Sequence, residues 1–478
     1  MEPDKQNVQK QSLKALLHGA LWLLISIFAF GRIAQAWIAT IYDWDTAELL
    51  IDADLEDRTP ANFANIAHPY ALVIFSALLR LFKNFGISPR MFWFLIMAIL
   101  FLLTVGTIYL VVRSMSQSQS WALVLTSFYV ISPSTHEILA RQEENLLYHL
   151  PFVLTVYFLS RLEQAPENKK FWRWGMVCLF VVAVCHFQPS ATLMIGIGLW
   201  LALYLLNPNI VKDPQHIKRF VILAAIPGLF IAFLFVTGLM AYVPYHHKWY
   251  SIFTVVDISN YIQVYFNSFQ HFMFTKMGGF GKLHSHDYYV FSSFWIGVGV
   301  VLFVTAVFIS LKDRKMSACI FWGALIFIAL YEPNIEERWD VILLSMICML
   351  ASYTKERWVT RAAWGLIGFM YMMAPGHSLD AFAEWDVERT NFLFVAKQMK
   401  GQETIYGSHE GLRRIVMEVP YGVRYQPLEQ IKHAAQGRVM IQHQEERDYV
   451  KALGKKVWPA DEGCYRTNHC RIFKFTTP

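Results

Sequence analysis

The chain has 478 residues, of which 55% are hydrophobic and 16% charged. Soluble domains carry about 25% charged residues, and several apolar runs here exceed the ~20 residues that cross a bilayer, so an ordinary soluble enzyme is excluded. The net charge of +6 comes without a basic, aromatic-interleaved patch, so it speaks to membrane topology rather than to nucleic acid.

The reading is an all-α polytopic membrane protein. Spans are expected near 14–41, 91–112, 119–134, 145–161, 171–187, 190–206, 219–242, 289–311, 315–331, 338–353 and 358–375, about eleven transmembrane helices. The first is too long for a cleaved signal and lacks a small-residue cleavage site, so it reads as a signal anchor. Segment 68–84 is apolar too but is read as a helix lying in the outer interface. Left on the outer side, it lets Lys5, Lys10 and Lys14, then Arg113, Arg161, Lys169, Lys170, Arg173, Lys212, Lys218, Arg219, Lys312, Arg314, Lys315, Lys355, Arg357 and Arg361 all face inward. Counting it as a crossing inverts every later loop.

The first span ends in Tyr42-Asp43-Trp44-Asp45-Thr46-Ala47-Glu48. Seven carboxylates fall between Asp43 and Asp57 against one cation, Arg58. Asp45, Glu48 and Asp52 share one side of a helix. A carboxylate held at a membrane edge and partly desolvated suits general-base chemistry, and Asp45, right at the end of the span, is the candidate. Asp52 to Asp57 read as a solvated face.

The outer side receives this acidic loop (42–67), the loop 134–145, the segment 243–288 and the polar tail from about 376, and further candidate residues fall on that side. His68-Pro69 opens the interfacial helix, with the His open to phosphate, a metal or a local cap. The turn at 134–145 carries Arg141, Glu143 and Glu144, as substrate contacts or as an ordinary polar turn. His186 and Gln188 sit at another outer turn, as a sugar or phosphate contact or, for the His, as a satisfied interfacial side chain. Arg338, in the run Glu332 to Asp340, presents a bidentate fork suited to phosphate or to its neighbours Glu336 and Glu337. Arg32, inside the first span, either snorkels or pairs within the bundle. The His284-Ser285-His286-Asp287 run matches no specific metal signature, and no metal ligand is assigned.

The chain divides into 1–375, the transmembrane part with a first outer loop at 42–90, and 376–478, a small C-terminal α/β domain outside the cytoplasm. In the latter, 403–406, 438–442 and 471–475 are expected as strands, and 380–400, 427–436 and 445–453 as helices. Cys464 and Cys470 are either a disulfide or two free thiols.

In this order the features resemble the GT-C superfamily of membrane glycosyltransferases. The resemblance rests on Asp43-Trp44-Asp45-Thr46-Ala47-Glu48 after the first span and on His68-Pro69 leading to Arg80-Leu81-Phe82. It continues with acids before Asn145-Leu146-Leu147, the turn Gln188-Pro189-Ser190-Ala191-Thr192-Leu193, and Glu337-Arg338-Trp339 before a late span. The first loop looks most like the protein O-mannosyltransferase-like branch, although Thr46 stands where many members have Glu, and Tyr70 where many have a second Pro.

The resemblance implies inverting transfer of a hexosyl or pentosyl group. The donor would be a polyprenyl-phosphate sugar and the acceptor a hydroxyl on a glycan, lipid or protein. It makes Asp45 the base, with Glu48 orienting it. Asp43, His68, Arg141, Glu143, Glu144, His186, Gln188 and Arg338 become substrate contacts, with Arg338 on the leaving phosphate. A divalent cation, Mg²⁺ or Mn²⁺, is the one cofactor it leaves open. Partners would be the lipid-linked donor, the acceptor and membrane lipids, with no nucleic acid. The absence of any Asn-x-Ser/Thr sequence favours a bacterial inner membrane, with the N-terminus cytoplasmic and the C-terminal domain periplasmic. A transporter or flippase is the alternative, but repeated halves and broken mid-membrane helices are not visible. An assembly protein with inert acids is a third reading.

Overall fold

The computed structural model describes residues 3–38, 89–132, 145–207, 212–236, 303–311, 315–331, 340–352, 403–407, 424–441, 444–459 and 472–476, with a few single positions between them. The helices are α1 Pro3–Ile38, α2 Pro89–Ser116, α3 Gln119–Ile131, α4 Leu146–Gln164, α5 Lys169–Cys185, α6 Phe187–Leu206, α7 Pro214–Val236, α8 Met316–Tyr331 and α9 Asp340–Ala351.

Among the described residues, three stretches, Ser12–Ala34, Met91–Ser116 and Gln188–Leu206, are long and apolar enough to cross a membrane on their own; Gln119–Ile131, Met316–Phe327 and Asp340–Ala351 are shorter apolar helices. Expected span 289–311 is described only over 303–311, which is helical, and 358–375 lies outside the described residues.

Helices α3 and α9 form the centre. Residues Trp121 to Ile131 are buried throughout, as are Asp340 to Ala351. A helix apolar on every face has to be enclosed by protein or by lipid. Helix α2 shows both solutions at once. Trp93, Met97, Phe101, Val105 and Ile108 recur on one face and are buried, while Ile99, Leu102, Leu103 and Leu110 are exposed, the outward set that a hydrocarbon surround would cover.

The helix boundaries follow local chemistry. Ser118 caps α3 by accepting from the Trp121 amide at 3.2 Å, and Asn168 caps α5 by accepting from Lys170 at 3.0 Å. Helix α7 begins five residues before the expected 219. Asp213 accepts from the Gln215 amide at 2.9 Å, and Pro214, whose fixed φ suits a first helical position, follows it.

Polar contacts register the helices at the end where α3 starts and α4 finishes. Arg161 donates to the Ser114 carbonyl at 2.8 Å. His18 and the Ser120 hydroxyl are 3.0 Å apart, and Trp121 Nε1 donates to the Leu350 carbonyl at 2.9 Å. Glu163 joins three helices: one carboxylate oxygen accepts from Trp200 Nε1 at 2.7 Å, and the other from the Met316 amide at 3.0 Å. Helices α6 and α8 cross with their backbones in contact. A Cβ on Gly196 would lie 2.6 Å from Ile320 Cα, and one on Gly323 would lie 2.7 Å from the Thr192 carbonyl oxygen. Small residues permit such an approach, as they do wherever membrane helices pack tightly. Arg32 is buried in the bundle, 5% exposed, rather than extended to its edge.

The C-terminal part contains a five-stranded sheet of order β2-β1-β3-β5-β4, with β1 Thr404–Gly407, β2 Arg424–Pro427, β3 Gln436–Met440, β4 Lys456–Pro459 and β5 Ile472–Thr476. Strand β1 runs parallel to β2 and β3, and β5 runs antiparallel to β3 and β4. Val439, Phe475, Ile431, Leu428, Ile441 and Val450 form its apolar centre. The three segments expected as strands are strands here. The expected helix at 427–436 is a short 3-10 helix, Leu428–His433, between two strands, and 445–453 is the α-helix Gln444–Ala452. The expected helix 380–400 and the pair Cys464 and Cys470 lie outside the described residues.

Candidate functional site

Among the described residues, a buried polar cluster lies at the opposite end of the bundle, the end expected to face outward. Five helix ends meet there: the finish of α3, the start of α4, the finish of α5 and start of α6 at their shared turn, and the start of α9.

His149 sits in the first turn of α4 and is fully buried. Its Nδ1 is 2.8 Å from the Tyr129 hydroxyl, and its Nε2 is 2.7 Å from Oδ2 of Asp340. Tyr148, one residue earlier, donates from its hydroxyl to the same Oδ2. Both Tyr148 and Asp340 are 1% exposed. The tautomer protonated on Nε2 satisfies both partners of the ring: Nε2–H donates to the carboxylate, and Nδ1 accepts from Tyr129.

A carboxylate removed from water loses several kcal/mol of hydration unless partners replace it. Here two donors converge on Oδ2. Oδ1 is buried and, among the described residues, has no hydrogen-bond partner. An ionisable residue at this depth in a membrane fold is a functional candidate.

His186 and Gln188 flank this cluster. The His186 ring meets Tyr148 edge-on, with centroids 5.4 Å apart. Its Nδ1 accepts from the Gln188 amide at 3.2 Å, and its carbonyl accepts from the Ser190 hydroxyl at 2.8 Å. His186 therefore acts as the N-cap of α6, and both it and Gln188 are buried.

The other expected site residues, Asp43, Asp45, Glu48, His68, Arg141, Glu143, Glu144 and Arg338, lie outside the described residues. The sequence nevertheless connects them to the cluster: Glu143 and Glu144 run directly into Asn145 and α4, and Arg338 stands two residues before Asp340. Tyr129, Tyr148, His149 and Asp340 are not among the residues that motif reading selects. The available signal was weak: two adjacent polar aromatics opening an apolar span, and an Asp closing the Glu332 to Asp340 run. Among the described residues, no group of three His, Cys, Asp or Glu side chains is placed to hold a metal ion.

No family model and no curated protein matches the chain. Among solved structures, the fold is similar to ArnT from Cupriavidus metallidurans in the apo state, with a TM-score of 0.62 at 10% identity, covering 96% of this chain and 98% of that one. It is likewise similar to the same protein bound to undecaprenyl phosphate, with a TM-score of 0.59 at 9% identity and the same coverage. At such identity the likeness is one of fold, and it runs nearly end to end. The chain thus has an ArnT-like, mostly helical fold.

Proposed function

We propose that this protein is an inverting GT-C glycosyltransferase. It moves a hexosyl or pentosyl group from a polyprenyl-phosphate-linked donor to an acceptor hydroxyl at the non-cytoplasmic face of a bacterial inner membrane. The observation that carries this reading is the end-to-end fold likeness to ArnT, a protein whose structure holds undecaprenyl phosphate. The finer assignment to the protein O-mannosyltransferase-like branch rests on the first-loop motifs from Asp43 to Pro69.

The chemistry assigns roles as follows. The acceptor oxygen attacks the anomeric carbon from the side opposite the lipid phosphate, so the new C–O bond forms as the sugar–phosphate bond breaks and the configuration inverts. Asp45 takes the hydroxyl proton, a task for a carboxylate within hydrogen-bond reach of the acceptor. Glu48 orients Asp45 or the acceptor. The lipid phosphate leaves as an anion and needs no proton, but it does need positive charge, which Arg338 supplies with help from Arg141 and His68. Asp43, Glu143, Glu144, His186 and Gln188 line the substrate path. A divalent cation remains compatible with this scheme, and no step depends on one.

The test is sugar transfer in membranes given undecaprenyl-phosphate hexoses, read as a mass increase on an acceptor lipid, glycan or protein. Asp45→Asn should lower transfer by ~100-fold or more while the protein still accumulates folded. Wild-type turnover in that variant removes Asp45 as the base. No transfer by the unaltered protein from any polyprenyl-phosphate sugar removes the reading as a whole.

A further inference from the structure

We propose that Oδ1 of Asp340 is a binding position for a hydroxyl of the donor sugar, and that Tyr148 and His149 hold the carboxylate in place for it. The proposal deepens the glycosyltransferase reading and rests on it.

The two oxygens of this carboxylate are treated unequally. Oδ2 accepts from Tyr148 and lies 2.7 Å from His149, while Oδ1 is buried with no partner among the described residues. An unsatisfied buried acceptor is destabilising, the more so when charged. Folds seldom keep one without a functional reason. The surroundings cannot turn the side chain to relieve it, because rotating Oδ1 toward Tyr148 and His149 would expose Oδ2 to the same deficit. His149 is itself held from behind by Tyr129 at 2.8 Å, and the His186 ring packs on Tyr148. Oδ1 is thus fixed, with the capacity to accept from two hydrogen-bond donors.

The charge of the group decides what it takes. A phosphate oxygen would be repelled, so the carrier phosphate is not its ligand. A metal ion would find a single free oxygen here, since both His149 nitrogens are engaged, far short of the six oxygens that Mg²⁺ requires. A neutral polyol supplies the missing donor without a like charge. The location agrees, because the chain leads from Asp340 straight back through Trp339 to Arg338, the residue assigned to the leaving phosphate. A sugar attached to that phosphate carries its hydroxyls within a few ångströms of it.

The experiment uses the full-length protein in detergent and two kinds of probe. One is undecaprenyl phosphate; the other is undecaprenyl phosphate bearing glucose, mannose or galactose. Affinities are read from quenching of tryptophan fluorescence. The unaltered protein should bind at least one hexose carrier more tightly than the bare carrier. Asp340→Asn should lose about tenfold or more for that hexose carrier and stay within twofold for the bare one. If Asn is not tolerated in the fold, Asp340→Glu carries the same test, because its extra methylene displaces the oxygen beyond hydrogen-bond tolerance. A folded Asp340 variant that keeps the full hexose preference overturns the inference, and so does one that weakens both probes equally. An unaltered protein that binds the bare carrier and gains nothing from any of the three hexoses also overturns it, yet leaves the carrier reading standing. An unaltered protein that binds no carrier overturns both.

Discussion

His149 and Asp340 are separated by 191 residues of chain and lie 2.7 Å apart, Nε2 to Oδ2, with both side chains almost completely buried. The contact fastens the start of α9 to the start of α4. Removing the imidazole takes a hydrogen-bond donor from a buried carboxylate, and hydrogen bonds to charged groups contribute about 1.5–3 kcal/mol. His149→Phe should therefore lower the melting temperature in detergent by several degrees. Combining it with Asp340→Asn should hurt less than the sum of the two, since the variants share one interaction. Strict additivity in that cycle would show that the two side chains do not support each other.

The crossing of α6 and α8 carries a second expectation. Gly196 and Gly323 each stand where a Cβ would meet backbone atoms, at 2.6 Å and 2.7 Å. Backbone cannot swing aside as a side chain does, so Gly196→Ala and Gly323→Ala should each cost about 1–3 kcal/mol through overpacking. Gly198, two residues along α6, has nothing within 4 Å of its would-be Cβ. Gly198→Ala is the matched control and should hold or slightly raise the melting temperature. Equal effects at positions 196 and 198 would mean that the close crossing is not what these glycines serve.

Glu163 bridges α4 to the Trp200 indole of α6 and to the first amide of α8. A carboxylate at a helix N-terminus meets both an open donor and the positive end of the helix dipole. Hydrogen bonds to charged groups contribute about 1.5–3 kcal/mol, so Glu163→Ala should destabilise by about that much. Glu163→Gln should recover part of it, because the amide oxygen can still accept from one donor. Circular dichroism melts give the stability. A change in tryptophan emission in Glu163→Ala should accompany it as the Trp200 indole loses its acceptor. Unchanged emission and an unchanged melt would show the bridge to be incidental.

The helical scaffold is legible in the sequence because burial in lipid demands long apolar runs, and α3, α4, α5 and α6 fall within three residues of their expected bounds. Where the reading slipped, local chemistry acted against the hydropathy pattern. Asp213 and Pro214 start α7 in a polar stretch that hydropathy skips. Strands β2 and β4, four residues each and ending in Pro, acquire strand geometry from pairing with β1 and β5 rather than from composition. The buried cluster was hardest to see. Tyr129, Tyr148, His149 and Asp340 carry no spacing signature, since helix packing alone brings residues 20 and 191 positions apart into contact. His186 was visible as a polar residue at a turn, but its part in capping α6 depends on the direction its ring takes.

The orientation of the bundle is open to a direct check. Arg161 donates to the carbonyl and hydroxyl of Ser114 at 2.8 and 2.6 Å. The α2–α3 turn and the α4–α5 turn therefore lie at one end, whichever side that end faces. Both turns are flanked by cations, Arg113 at one and Arg161, Lys169, Lys170 and Arg173 at the other, and such loops are retained in the cytoplasm. Gln117 and Glu167 are exposed in these two turns. In a background with the six native cysteines replaced by Ser or Ala, Gln117→Cys and Glu167→Cys should resist a membrane-impermeant maleimide in intact cells and react once the inner membrane is opened. Labelling of both in cells with only the outer membrane permeabilised would invert the topology, and would move the Asp340 cluster and the proposed chemistry to the cytoplasmic face. Labelling of one turn without the other would contradict the Arg161–Ser114 contact itself.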